Sequence, residues 1–195
     1  METEMEIKEL IRFVRQIEKL KCNTRHSWTT SGRKESVAEH SFMLAVMAYL
    51  TKDAFPTADM NKVILMCLLH DFGEAVTGDI PAFEKNANHE IAEEKAIEML
   101  LSELPTAQRE EMLSLFREMK EMKTLESKIC KGLDRMEAVL QHNEASIETW
   151  LPLEYDLQLT YGEKEVEFSP YLTELKKQLN EDTKRKIEME HEKRK

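Results

Sequence analysis

The sequence predicts a single all-α domain, and three observations predict it. Gly and Pro number only 5 each in 195 residues, against about 12% for the pair in an average chain, so turns are few and helices long. Apolar residues recur mostly at three- and four-residue steps rather than alternating. A chain of this length can bury a sizeable core, and neither an internal repeat nor a Pro/Gly-rich linker divides it.

Ile7, Leu10, Ile11, Val14, Ile17 and Leu20 mark a first amphipathic helix. From Cys22 to Glu35 the period breaks, and the segment reads as a long loop with Gly32, Arg25, His26, Trp28, Arg33 and Lys34. Loops of this length in compact domains are frequently functional. Ser36-Val37-Ala38-Glu39 has the S-x-x-E form of a capping box, and the helix it opens carries His40, Met43, Leu44, Met47 and Leu50 on one face. Phe55-Pro56 ends that helix. Asp59 caps a third, from about Met60 to about Ala75, whose middle is apolar nearly all round, as suits a helix central to the core. Gly78 to Pro81 is a turn. Further helices are predicted over Ile91–Leu104, Ala107–Met122 and Leu125–Ala145, with Pro105 between the first two. Trp150–Phe168 reads as irregular chain with two or three extended pieces. Ser169-Pro170 starts the last helix, which thins after Asn180 into a solvated or frayed tail. Residues 1–180 thus form the domain and 181–195 its charged tail.

Acids outnumber bases 38 to 28, for a net charge of −10. Such a surface lacks the electrostatic footprint for a nucleic-acid polymer, so a phosphate-bearing substrate should be small and held locally. Three scattered cysteines, Cys22, Cys67 and Cys130, suit a reducing compartment. The acidic start, Met1 to Glu6, is unlike a secretory signal, and the apolar run Val63–Leu69 is too short to cross a membrane. A cytoplasmic protein without a membrane partner is expected.

The informative residues are polar ones where the pattern demands apolar ones. His70 and Asp71 close the most hydrophobic run of the chain. A carboxylate there must be paired, hydrogen-bonded, protonated or bound to a metal. Glu74 follows one turn on, on the same helix face. His40 adds an imidazole to a second core-directed stripe, and Asp134 a carboxylate to the edge of a third. Each alone is most simply a satisfied core histidine or an ion-paired acid. Together, two imidazoles and two carboxylates on the three most apolar helices suit a divalent cation with open positions for water and substrate.

The order His40, then His70-Asp71, then Asp134 resembles that of the HD-domain metal-dependent phosphohydrolases. The fuller set, Glu35 to Ser41, Leu69-His70-Asp71 with Glu74, Gly78-Asp79-Ile80-Pro81, and Leu133 to Glu137, is similar to their 5′-deoxynucleotidase branch, from about Ile7 to about Glu148. The resemblance implies a helical bundle with the metal site between core helices, and hydrolysis of deoxyribonucleoside 5′-monophosphates to nucleoside and phosphate. It implies His40, His70, Asp71 and Asp134 as ligands of a divalent metal, with Mn, Co, Ni, Zn and Fe all compatible. It places Glu74 and Asp79 as the acids that handle water and leaving group, and allows a second, weaker Mg²⁺ near Glu74, Asp79 and Ile80. It makes a homodimer the expected assembly.

In the family an Arg and a nearby Trp discriminate deoxyribose from ribose; the Arg25 guanidinium suits a phosphoryl group and the Trp28 ring a base or sugar. Arg25 and Trp28 are the matching residues, with two residues between them, and Ile80 and Pro81 complete the expected substrate contacts. The plain alternative for Arg25 and Trp28 is a solvated cation and an aromatic plug at the core edge. Arg33 suits either a phosphate or an ion pair with Glu35. His89 reads as a cap or exposed residue, His142 and His191 as exposed, and His26 as outside the ligand set. Glu137, one turn after Asp134, is placed to line the pocket. Two rival readings follow: an HD phosphodiesterase or pyrophosphohydrolase acting on cyclic nucleotides, alarmones or triphosphates, and a non-catalytic binding module stabilised by its metal.

Overall fold

The computed structural model describes residues 5–193; the acidic start at 1–4 and the last two residues of the predicted tail lie outside the described residues. In chain order the elements are α1 (Ile7–Ile17), β1 (Thr24–Trp28), β2 (Lys34–Ser36), α2 (Val37–Leu50), α3 (Met60–Leu69), α4 (Glu74–Thr77), α5 (Ala87–Leu101), α6 (Thr106–Glu121), α7 (Leu125–Glu144), α8 (Glu154–Thr160), α9 (Glu163–Val166) and α10 (Pro170–Lys193).

Helices α2, α3 and α7 pack on one another and form the centre. Their inward side chains, Leu44, Val63, Met66, Ile129, Leu133 and Met136, are fully buried, each stabilising the fold by about 1.5–3 kcal/mol of transfer free energy. A second cluster joins Phe13, Leu20, Val37, Ala75, Leu100 and Leu101, and so fastens α1, α4 and α5 to the start of α2. Capping works as the sequence predicts. Ser36 Oγ accepts from the Glu39 amide, and the Glu39 carboxylate accepts from the Ser36 amide; Asp59 accepts from the amides of Asn61 and Lys62. No helix among the described residues is long and apolar enough to cross a membrane.

Five stretches depart from the sequence expectation. The segment after Cys22 is a β-hairpin rather than a loop: Thr24 pairs with Ser36 and Trp28 with Lys34, with an irregularity between. Its turn closes by Thr29 N–H donating to the Arg33 carbonyl at 2.8 Å. The third helix stops at Leu69, and residues 70–73 turn before the short α4. Gly73 lies where an added Cβ would meet Glu93 Cγ at 2.7 Å, so only glycine lets α5 approach this turn. Residues 150–168 contain the short helices α8 and α9 and no strand. The last helix runs past Asn180 to Lys193, because Thr183 is buried and its hydroxyl bonds Asn143 Oδ1 of α7 at 2.9 Å. On α1 the stripe Ile7, Leu10, Ile11 and Val14 faces outward, with Ile7 75% exposed, and Phe13 is the buried side chain.

Candidate active site

His40 is fixed by the α2 cap one turn before it. The ring is buried, and its Nδ1 bonds the carboxylate of Glu137 on α7. His70 ends α3, where its Nδ1 donates to the Cys67 carbonyl at 2.9 Å. Both imidazoles are thereby held with Nε2 presented inward, since the partner of one ring nitrogen sets the tautomer and orientation. The two rings stand 5.2 Å apart, centroid to centroid.

Into the same space come two carboxylates. His70 Nε2 lies 3.0 Å from Asp71 Oδ2, and His40 Nε2 lies 3.3 Å from Asp134 Oδ1. The cross distances, His40 to Asp71 and His70 to Asp134, are both 3.9 Å. Neither Nε2 atom has a hydrogen-bond partner. Two orphaned, buried imidazole nitrogens converging with two carboxylates fit a divalent cation of the N/O-binding class. The four residues singled out from the sequence are thus neighbours in space, gathered from α2, the end of α3 and α7.

Their proton chemistry shows how closely they are coupled. Burial opposes charge on His70, but Asp71 and then Asp134 outweigh it and raise its pKa to about 10. Burial likewise opposes ionisation of Asp71, and His70 overcomes it, so this carboxyl stays well below the usual carboxylate range. Asp134 is also held low, against burial, chiefly by Lys131, whose Nζ stands 2.9 Å from Oδ2.

Glu74 opens α4, buried, with Oε2 unpartnered. Burial, then the charges of Asp71, Asp79 and Glu93, push its pKa up to about 9. Its carboxyl groups with Asp71 and Glu93, all three offering oxygens within 4.8 Å of one another; Asp79 is not part of that triad. Gly78 at φ +74° ends α4 and turns the chain, so Asp79 lies toward the hairpin. Burial raises Asp79, while the Arg25 charge lowers it.

The expected substrate contacts divide. Arg25 and Pro81, with Asp79, line a cavity of about 80 Å³, but Trp28 and Ile80 do not. Arg25 is not free: Nη1 pairs with Glu35 at 2.8 Å and reaches Glu137 at 3.4 Å, and these acids hold its pKa above the ordinary value despite burial. Trp28 sits one side chain behind, edge-on to His26 at 5.1 Å, with Lys34 over its ring. Arg33 pairs with Glu39 rather than Glu35. Glu137 does not line the pocket as a free acid, because it is enclosed between His40 and Arg25.

The cavity wall also includes His26, Phe83, His142, Glu154 and Tyr161, none of which the sequence placed there, and the expectation that His142 is exposed is corrected. His142 in particular is largely buried, with Nε2 3.0 Å from Glu154. A signal for it existed: His142 lies eight residues after Asp134 on one helix, two turns along the same face. A larger cleft, about 660 Å³, opens from His70, Asp71 and Asp134 between α5, α6 and α7.

Comparison with known proteins bears on this arrangement. A family model described as HD domain matches residues 17–176. The chain is 34% identical over 140 residues to the 5′-deoxynucleotidase HDDC2 of Mus musculus, covering 69% of each chain. It is 26% identical over 140 residues to the 5′-deoxynucleotidase hdd1 of Schizosaccharomyces pombe, covering 68% of this chain and 70% of that one. A crystal structure described as a predicted metal-dependent phosphohydrolase from Magnetospirillum magnetotacticum superposes with a TM-score of 0.79 at 29% identity, over 92% of this chain and 93% of that one. Two imidazoles and two acids in this order, on this fold and with these relatives, lead to one conclusion: the chain belongs to the HD-domain family of metal-dependent phosphohydrolases.

Proposed function

We propose that the protein is a 5′-deoxynucleotidase, cleaving 2′-deoxyribonucleoside 5′-monophosphates to nucleoside and orthophosphate. The observation that carries this reading is the pair of unpartnered Nε2 atoms of His40 and His70 facing Asp71 and Asp134, with the unpartnered Glu74 oxygen close by. The names of the relatives on HD-domain chains support the substrate class.

His40, His70, Asp71 and Asp134 would hold the divalent ion, which when bound supplies positive charge that polarises a phosphoryl oxygen and makes water more acidic. Glu137 and the Cys67 carbonyl keep the two imidazoles aimed. Burial and the neighbouring acids raise the Glu74 pKa to about 9, and a cation beside it would lower that value, which suits a carboxyl that exchanges a proton with water or a departing alkoxide. Asp79 is the second acid, accepting the His26 amide and facing Arg25. Arg25 and Pro81 share the Asp79 wall, and Arg25 would take the phosphoryl end of the substrate with the guanidinium donors that its pairing to Glu35 and Glu137 through Nη1 leaves over. Mg²⁺ is the second ion suited to the oxygens around Glu74. We also propose a homodimer, for which the outward apolar stripe Ile7, Leu10, Ile11 and Val14 on α1 offers a face, and a cytoplasmic location.

The test is product analysis on chelated and metal-reloaded protein with dAMP, dTMP, AMP, cyclic AMP and dGTP. Orthophosphate from dAMP and dTMP in excess of AMP, only after reloading with one of Mn, Co, Ni, Zn or Fe, is the expected result. Turnover of dGTP or cyclic AMP with none of the monophosphates would transfer the protein to the pyrophosphohydrolase or phosphodiesterase class. No turnover at all by metal-loaded protein would favour a binding module.

A further inference from the structure

A second group of ligand-type side chains lies apart from the four described above. His26 on β1, His142 on α7 and Glu154 at the start of α8 bring ligand atoms within 4.8 Å of one another. His142 Nε2 is 3.0 Å and His26 Nε2 is 3.2 Å from the same oxygen, Glu154 Oε1. Ligands on a tetrahedral zinc ion, each at 2.0–2.1 Å, stand about 3.3 Å from one another. The observed spacings are already close to that edge.

Hydrogen bonding by itself leaves this cluster short. His142 Nδ1 faces the Ala138 carbonyl at 3.3 Å while its Nε2 faces Glu154, so both nitrogens meet acceptors and a neutral ring can satisfy only one. His26 Nε2 is buried and makes no hydrogen bond despite its proximity to Glu154. A proton serves one imidazole–carboxylate line. A cation among the three serves all of them.

The ligands are also held still. Phe83 and Trp28 pack edge-on against the His26 ring at 5.6 Å and 5.1 Å. Glu154 Oε2 accepts the Leu151 amide at 2.6 Å, leaving Oε1 to the histidines. Arg25 lines the same cavity, but its charge is answered by Glu35 and Glu137, so it does not oppose a cation there.

We propose that His26, His142 and Glu154 form a second transition-metal site, of the His₂Glu type that zinc occupies, with its remaining position open to the cavity lined by Arg25 and Asp79. Three protein ligands and an accessible fourth position are the arrangement of a site that takes water or an anionic oxygen ligand. The site is distinct from the oxygen triad around Glu74, which would suit Mg²⁺.

The test counts metal and does not depend on turnover, so it separates this proposal from the proposed function. Tag-free full-length protein is chelated, reloaded with Zn²⁺ and analysed for bound metal, and Co²⁺ absorption is recorded in parallel. Wild type is expected to hold about two zinc ions per chain, and His142→Gln or His26→Gln about one. Asp71→Asn/Asp134→Asn is expected to keep one ion, with the visible Co²⁺ band of an imidazole–carboxylate site. A wild-type content of one that the Asp71/Asp134 pair of changes abolishes overturns the proposal. So does a content of two that His142→Gln leaves unchanged. A wild-type content of one that His142→Gln abolishes upholds this site and removes the other. His26 and His142 lie on separate elements, β1 and α7, so where one of the two variants folds poorly the other still decides the outcome.

Discussion

Glu137 is the residue whose role depends most on its surroundings. It touches His40 across 97 positions of sequence and also stands 3.4 Å from Arg25, so one buried carboxylate orients an imidazole and neutralises a guanidinium. Carboxylates behind metal-binding histidines are typically worth about 10–100-fold in metal affinity. Glu137→Ala should therefore weaken binding at the His40 cluster by about that factor, read by competition with a chelator; unchanged affinity would remove Glu137 from the site. Glu74 makes the contrasting case. Glu74→Gln preserves shape and leaves the four ligand groups intact, so metal content should persist while kcat falls by about 100-fold or more, the usual weight of a positioned acid or base. An unimpaired kcat would take the proton-handling role away from it. Among single residues, the sequence pointed to His40, His70, Asp71, Asp134 and Glu74, because polarity inside an apolar run is a local anomaly. It did not point to Arg25 being tied to Glu35 and Glu137, since a pairing with a residue 112 positions away leaves no local trace.

At the scale of elements, the start of α2 is the joint between hairpin and core. Its cap is reciprocal between Ser36 and Glu39, and Arg33 adds a charged bond to the Glu39 carboxylate. Ser36→Ala should cost about 1 kcal/mol, measured by denaturant unfolding; no loss would mean that the cap is redundant. The bonds from Arg33 and Ser36 lower the Glu39 pKa to about 2. A depressed carboxyl contributes stability above its ordinary range, near pH 4.5, and loses it as pH falls toward about 2. Because the Glu39 side chain is 41% exposed, solvent limits this contribution to about 1 kcal/mol or less. The stability gap between wild type and Glu39→Gln should accordingly shrink between pH 4.5 and pH 2; a gap that widens on acidification would contradict the assignment. The cap of α2 and the spans of α6 and α7 follow their sequence signals closely, while α5, capped by Asn86, begins four residues before and ends three residues before its expected bounds. The hairpin strands and the helices α8 and α9 are too short for a period to develop, and the turn at 70–73 directly follows an apolar run whose period continues through Phe72 and Ala75 and so reads as one helix.

For the whole molecule, the decisive fact is that the four converging groups come from α2, the end of α3 and α7, the same helices that form the central core. Closing them around an ion should tie site and core together. At free metal about 100 times the dissociation constant, binding to the folded state alone adds about 2.7 kcal/mol, or about 5–10 °C in Tm for a chain of this size. Chelation should reverse that shift, followed by thermal unfolding with and without added ion; a Tm indifferent to metal would mean that the cluster holds none under those conditions.

Sequence alone determined the all-helical architecture, the capped start of α2 and the set of polar residues too costly to bury without a purpose. Periodicity, capping and buried polarity are properties of neighbours along the chain, and they can be read there. Tertiary structure decided which side chains meet: that Glu137 aims His40, that Arg25 is already paired, and that His26 and His142 share one oxygen of Glu154. Those meetings arise where separate helices and a hairpin pack together, and the energy of a buried charge depends on what arrives from the far side of the core.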